Sequence, residues 1–434
     1  MAAESTGATD TMINRRAAGP RRAARRKGLL RAAANRAGGF LLNRGVIRLP
    51  MVADALLEAA CRRAGYREFG DPAFEMPFRL LVRSLREEAP LSFFGRVAAR
   101  QDVLGLLIGR LHIEAAFRAT QRMANERIVE PVFIVGLPRA GTTFLHELLA
   151  QDPAHRAPLC WETMYPYPRP GESARADAVS FARARRDLRW FHRVTPEIRG
   201  IHAVSAGAAQ ECVAIESFAF ESSRFDSTYV IPSYKDWYES SDHPAAYAYH
   251  RRFLQYLQHG GVPRPWILKA PGHIAQLRAL ARTYPDARYI QVNRDPLKIV
   301  PSIASLTVAL RGAFCTHADH AAIAADVAAR WSAFLEELPS RRREIDPAGD
   351  RTLDIAFDDV ARSPLEVVAR IYRWLGRPLP QSTRARMAAW IERAARTAPP
   401  RHRYELRDFG LDPAVLRERF RAYTETYRVR LEVN

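Results

Sequence analysis

Apolar positions along this chain change period several times, and each change marks an element. Between about residues 50 and 130 they follow a helical repeat. Val52, Leu56, Leu57 and Ala60 share one face, as do Val103, Leu104, Leu107, Ile108 and Leu111 in a longer helix. At Val132 to Val135 the apolar run is continuous, as in a parallel strand covered on both sides. A helix from near Thr142 then buries Phe144, Leu145, Leu148 and Leu149. Trp266 to Lys269 predicts a second, short strand, followed by a helix through Leu277, Leu280 and Ala281. A turn at Tyr284 leads into a third strand ending near Asn293. Asp295 caps the next helix and Pro296 takes its first position, with Ile299, Ile303 and Leu306 along it. A helix over about 317–338, a strand in Arg351 to Phe357 and a helix from Leu365 to Leu375 follow.

Strand–helix alternation of this kind predicts an α/β fold: a parallel β-sheet flanked by helices on both faces. The predicted layout is an N-terminal helical layer over 41–130 and an α/β domain over 131–434. Residues from about 155 to 262 show no strand alternation and are rich in aromatics such as Trp161, Tyr165, Trp190 and Tyr238. They predict a helical cap inserted into the domain, of the kind that forms a second substrate's pocket over a phosphate loop.

The loop after the first strand narrows the class. Gly136-Leu-Pro138-Arg139-Ala140-Gly141-Thr142-Thr143 keeps the two glycines and the final hydroxyl of a P-loop. Backbone N–H groups of such a turn, and the helix that follows, point at an anion. Thr142 stands where the P-loop lysine would be, and an arginine, Arg139, stands inside the loop. The chain therefore keeps a phosphate cradle without the group that reaches the outer phosphates of a triphosphate. A second anion site is predicted from Arg294 at the end of the third strand and Ser302, eight residues on in the next helix. Two helical turns can return a serine beside the strand end, where a guanidinium can grip a phosphate through two bonds. The alternative for Arg294 is a pairing with Asp295 or another carboxylate.

Taken together, the 136–143 loop, Lys269-Ala-Pro-Gly-His273 and Asn293-Arg294-Asp295-Pro296 with Ser302 resemble the sulfotransferases. The likeness is to the bacterial family related to the tyrosylprotein enzymes, and it runs from about residue 70 to the C-terminus. It implies 3′-phosphoadenylyl sulfate (PAPS) as donor and a hydroxyl group of a small apolar or aromatic molecule as acceptor. The donor's 5′-phosphosulfate would lie on Pro138, Arg139, Ala140, Gly141, Thr142 and Thr143. Its 3′-phosphate would meet Arg294 and Ser302. Arg401, His402 and Tyr404 would close over the nucleotide.

Sulfuryl transfer, like phosphoryl transfer, rests mainly on positioning and charge neutralisation. Lys269 suits the departing phosphate oxygen, and Arg139 suits the sulfate oxygens. Glu162 is expected to be the general base, its pKa raised from about 4.3 by burial. His273 is the competing base. No metal is expected, because arginine and lysine supply the positive charge. Glu211 and Glu216 in the cap have no ligand set around them.

Composition changes this picture little. The net charge of +19 favours anionic ligands, but arginine is spread along the whole chain. Lysine occurs only at 27, 235, 269 and 298, which makes Lys269 conspicuous. Four cysteines, far apart, suit a reduced cytoplasmic protein. Residues 1–40 read as a disordered basic tail, with peripheral contact to anionic lipid as the lesser reading. Arg25-Arg26-Lys27 is not followed by an unbroken apolar segment, so an export signal is not expected. No bilayer-spanning stretch is expected either. A P-loop kinase or NTPase would need a magnesium carboxylate, for which Asp354 and Asp358 are the candidates. A nucleic-acid binder is suggested by charge alone and has no accompanying motif.

Overall fold

The computed structural model describes residues 35–432 apart from 43, 47–48, 202–203 and 398–404. Arg401, His402 and Tyr404, and the tail up to residue 34, lie outside the described residues. Residues 35–42 are helical, so the part of the tail expectation that reached residue 40 is corrected.

Four parallel strands form one sheet: β1 (Val132–Gly136), β2 (Ile267–Lys269), β3 (Arg288–Asn293) and β4 (Thr352–Ala356). Their spatial order is β2-β1-β3-β4. The chain leaves β1 to one side for β2, then crosses to the other side for β3. In such sheets the crevice beyond the strand C-termini, where the order switches, is the natural ligand site. Here that places the ends of β1, β2 and β3 side by side. Every residue of β1 is buried, as its continuous apolar run predicts. Gly136 is required by close approach: a Cβ there would stand 2.6 Å from the Val292 carbonyl oxygen of β3, at a φ of 143°.

Helices Ala53–Ala64, Glu75–Glu87 and Phe93–Ala119 make the N-terminal layer, which shares one apolar core with the sheet. The Ser92 hydroxyl caps the longest of them, accepting from Gly95 N–H at 3.0 Å. Val52, expected on the buried face of the first helix, precedes that helix and is exposed. Buried Arg110 ties this layer to the cap. It donates to the carbonyls of Phe69, Asp71 and Phe218, and lies over the rings of Phe74 and Tyr249. A guanidinium can be buried at this cost because its donors are spent on carbonyls and its faces on aromatics.

Residues 155–262 are helical, from Cys160–Met164 to Pro244–Gln258, with no strand among the described residues. The helix Pro296–Phe314 is long and apolar enough to cross a membrane, which the sequence reading did not anticipate. It is largely buried and packs against Phe93–Ala119 and His320–Ile345, as a core helix does.

Candidate active site

The 136–143 loop leaves β1 and enters the helix Thr142–Leu149 through Gly141, whose φ is 83°. First-turn N–H groups have no carbonyl partner within their own helix, so this end offers donors to an anion. Arg139 sits at φ 69°, a left-handed conformation that costs a non-glycine residue on the order of 1–3 kcal/mol. It is held from two sides. Its Nε donates to Ser302 Oγ at 3.1 Å, and its carbonyl accepts from Arg294 Nη1 at 2.7 Å. The structure thus brings the two predicted anion sites into contact, with Arg139 as the bridge between Arg294 and Ser302.

Each side chain of the β3 exit has a separate task. Asn293 bonds Asp354 of β4 at 3.1 Å, and Asp295 accepts from Leu297 N–H at 2.9 Å as the cap of the following helix. Arg294 lies over the Phe357 ring, 3.8 Å from its centroid, and forks onto the carboxylate of Glu432 at 2.7 and 3.2 Å. A carboxylate partner for Arg294 was foreseen as Asp295 or another acid; it is Glu432, near the C-terminus. The two parallel bonds are the geometry with which an arginine also takes two oxygens of a phosphate. Asp354 is held by both terminal nitrogens of Arg342, at 2.9 and 3.0 Å, and Asp358 pairs with Arg362. Both carboxylates line a small pocket beside Arg294 and Glu432, and neither lines the larger cavity that contains Arg139, Thr143 and Lys269.

Lys269 ends β2 in register with Ile134, two residues before the loop. Its ammonium is buried, donates to Thr143 Oγ1 at 2.9 Å and pairs with the Glu211 carboxylate. The lysine absent from the loop is therefore replaced by one from the neighbouring strand. Glu211 stands at the N-terminal edge of the short helix Cys212–Glu216 in the cap. With Lys269, Arg139, Thr142 and Thr143 it lines a cavity of about 930 Å³. Above these groups the walls come from the cap, the N-terminal layer and the helices after β3; they are largely apolar, with Phe94, Phe191, Tyr229, Phe314 and Trp331 among them, and are interrupted by the ion pairs of Arg224 with Asp102 and Arg330 with Asp226.

Glu162 is elsewhere. Its carboxylate accepts from Leu159 N–H at 2.8 Å and faces Arg156 at 3.5 Å, and it does not line the cavity. Burial raises its pKa, as expected, but the burial belongs to a helix N-terminus rather than to a substrate pocket. The structure thus places the expected base outside the cavity. His273 is also withdrawn from the cavity. It is fully buried beside Phe133, with Nδ1 2.7 Å from the Tyr247 hydroxyl. Desolvation, then His250 and Lys269, push its pKa well below the usual histidine value. Glu216, below Glu211, is pushed up to about 8 by burial and by Glu211 and Glu221. Glu211 escaped the sequence reading because nothing near it in sequence marks it; Lys269 lies 58 residues away.

Residues 131–381 match the model of the sulfotransferase family. The chain is 26% identical over 269 residues to omega-hydroxy-beta-dihydromenaquinone-9 sulfotransferase Stf3 of Mycobacterium bovis. That match covers 59% of this chain and spans 65% of the relative's length. The crystal structure of sulfotransferase STF1 from Mycobacterium tuberculosis superposes with a TM-score of 0.76 at 30% identity, covering 86% of this chain and 98% of that one. Sulfotransferase STF9 from Mycobacterium avium gives 0.79 at 25% identity, over 89% and 99% of the two chains.

Proposed function

The chain belongs to the sulfotransferase family, and from that premise we propose that it moves a sulfuryl group from PAPS to the hydroxyl of a large apolar alcohol. Adenosine 3′,5′-bisphosphate is the other product. The observation that carries this reading is the meeting of Lys269, Glu211 and Thr143 at one end of a cavity whose lining is largely apolar.

The donor supplies an activated sulfur; the rest falls to this chain's residues. The loop amides and Arg139 hold the sulfate and 5′-phosphate oxygens. Arg294 and Ser302 take the 3′-phosphate, which replaces the Glu432 carboxylate on the same fork. Glu211 accepts the alcohol's proton as the new S–O bond forms. Lys269 neutralises the phosphate oxygen left when the donor's S–O bond breaks. A positioned base contributes about 10²–10⁴ in rate, and a buried donor aimed at developing charge about 10²–10³.

The cavity volume of about 930 Å³ lies at the upper end for a small-molecule pocket and supports an acceptor of lipid size. A relative named for an omega-hydroxylated menaquinone derivative supports the same class: a hydroxyl on a long apolar body. Four free cysteines, three of them buried, support a reducing, cytoplasmic setting.

The test is a transfer assay with sulfur-labelled PAPS and a panel of hydroxylated lipids and short polar alcohols, read by mass spectrometry. Products carrying one added sulfate on the apolar alcohols are expected. Hydrolysis of ATP with no label on any hydroxyl would instead identify a P-loop hydrolase.

A further inference from the structure

We propose that the helix Ala174–Val194 is a membrane-contact surface that seats the mouth of the acceptor cavity on an anionic lipid bilayer. The proposal rests on the apolar-acceptor reading for its purpose, but its test does not.

One side of this helix is committed to the protein: Ser180 and Ala184 are buried, and Leu188 and Phe191 half-buried. The other side carries exposed Arg175, Arg183, Arg185, Arg186, Arg189 and Arg193. Among them stand large apolar groups open to solvent, Val179 at 64% exposure, Trp190 at 55% and Phe181 at 37%. The two acids of the helix offset only part of this charge, since six arginines against two aspartates leave +4. Asp177 accepts from Gly171 N–H at 3.1 Å, and Asp187 takes Arg186 and the Tyr165 hydroxyl. Arginines with interspersed aromatic and aliphatic side chains are the composition of a helix lying in a lipid headgroup layer. A purely solvated face has no use for an exposed tryptophan and valine beside them.

Position gives the surface its occupant. Leu188, Trp190, Phe191 and His192 line the acceptor cavity, so Trp190 belongs at once to the exposed face and to the cavity wall. Its ring packs on Phe94, with centroids 5.8 Å apart. The Phe94 N–H in turn bonds the Asn35 side chain at 2.9 Å, at the head of the helical residues 35–42. That segment exposes Phe40 at 54%, and Val46 after it is 69% exposed. A second apolar projection is thus anchored at the same point. An alcohol buried in a bilayer cannot cross water to reach a cavity; it must pass through a mouth applied to the membrane. The charge selects anionic lipid, since each basic residue near such a surface strengthens binding about fivefold.

The experiment uses the full chain and vesicles of phosphatidylcholine, alone or with phosphatidylglycerol, in a sedimentation assay without donor or acceptor. The protein should bind phosphatidylglycerol vesicles at least ~10-fold more tightly than neutral ones, and added salt should weaken that binding. The triple variant Arg175→Glu/Arg185→Glu/Arg189→Glu should bind them ~100-fold more weakly. Val179→Ser, which loses apolar area and no charge, should lower affinity severalfold. In both variants adenosine 3′,5′-bisphosphate affinity should remain as in the parent, which shows an intact fold. The proposal is overturned if the parent does not sediment with anionic vesicles. It is equally overturned if the triple variant sediments like the parent, which would place binding in another basic segment. A third overturning result is loss of RNA or DNA binding in the triple variant with vesicle binding unchanged. Failure of the bisphosphate to bind the parent would strike the sulfotransferase reading and leave the vesicle result standing.

Discussion

The two ends of the cavity are built on opposite principles. The end proposed for the donor consists of strand termini, and its polar groups are fixed by backbone: Gly136 wedged against β3, Gly141 turning into a helix, Lys269 closing β2. The end proposed for the acceptor is made of side chains from the N-terminal layer, the cap and the helices after β3. It is largely apolar, and no strand sets its shape. A parallel sheet holds its strands at fixed register, so charged groups placed at strand ends keep their spacing. Helices packed by apolar contact fill volume and can be reshaped by exchanging side chains of similar size. One molecule therefore joins a half fixed by strand register to a half shaped by side-chain packing. Lys269 and Glu211 stand where they meet, the lysine from the sheet and the glutamate from the cap.

The largest effect is expected at that meeting point. Glu211→Gln should lower kcat by ~10²–10⁴ with bisphosphate affinity unchanged, measured by single-turnover kinetics and calorimetry. Glu162→Gln should cost roughly 1–2 kcal/mol of stability, read as a lower Tm, and leave kcat within a few-fold, because the amide oxygen keeps the bond from Leu159 N–H but the ion pair with Arg156 is lost. The reverse pattern would move the base back to Glu162 and erase the boundary drawn here between sheet and cap.

Next in size is a test of the donor half alone. Arg294→Ala should weaken adenosine 3′,5′-bisphosphate binding by roughly 10–100-fold, the worth of a charge-assisted pair of bonds, with KM for the acceptor unmoved. Equal losses for donor and acceptor would mean that the two ends are not independent.

A pH experiment separates burial from catalysis beneath the cap. Glu216 is raised to about 8 in the fold, against 4.5 in an unfolded chain, so the folded protein keeps a proton that the unfolded one releases. The stability from this group is full below about pH 4.5 and is lost progressively as pH rises to about 8. Glu216→Gln should therefore match the parent in unfolding free energy near pH 4.5 and exceed it at pH 8, by on the order of 1–3 kcal/mol, as denaturant titrations at the two pH values would read. A parent whose stability rises over that window relative to the variant would show that Glu216 is ionised in the fold.

The smallest effect concerns the carboxylate on the Arg294 fork. Glu432→Gln should tighten bisphosphate binding by about 2–5-fold, the scale of a partly exposed ion pair, and the gain should shrink with salt. No change in titration calorimetry would mean that Glu432 leaves the fork free in solution.

Local pattern determined a good deal. The four strands, the glycine-bounded loop, the Asp295 cap with Pro296 and the helical cap are written in short stretches, because turns, caps and buried strands depend on neighbours in sequence. Arg294 and Ser302 were expected to form a second anion site apart from the loop; that Arg139 of the loop bonds both of them was not foreseen. What tertiary structure alone decided is which carboxylate lies on Lys269 in the cavity wall. Glu162 sits beside a tryptophan after the phosphate-loop helix, yet three residues of helix turn it onto a backbone N–H. Glu211 has no such setting, yet the fold lays it on Lys269. Direction is the physical reason: a side chain's aim depends on how its helix is rotated against the rest, and that rotation is fixed by contacts with residues remote in sequence.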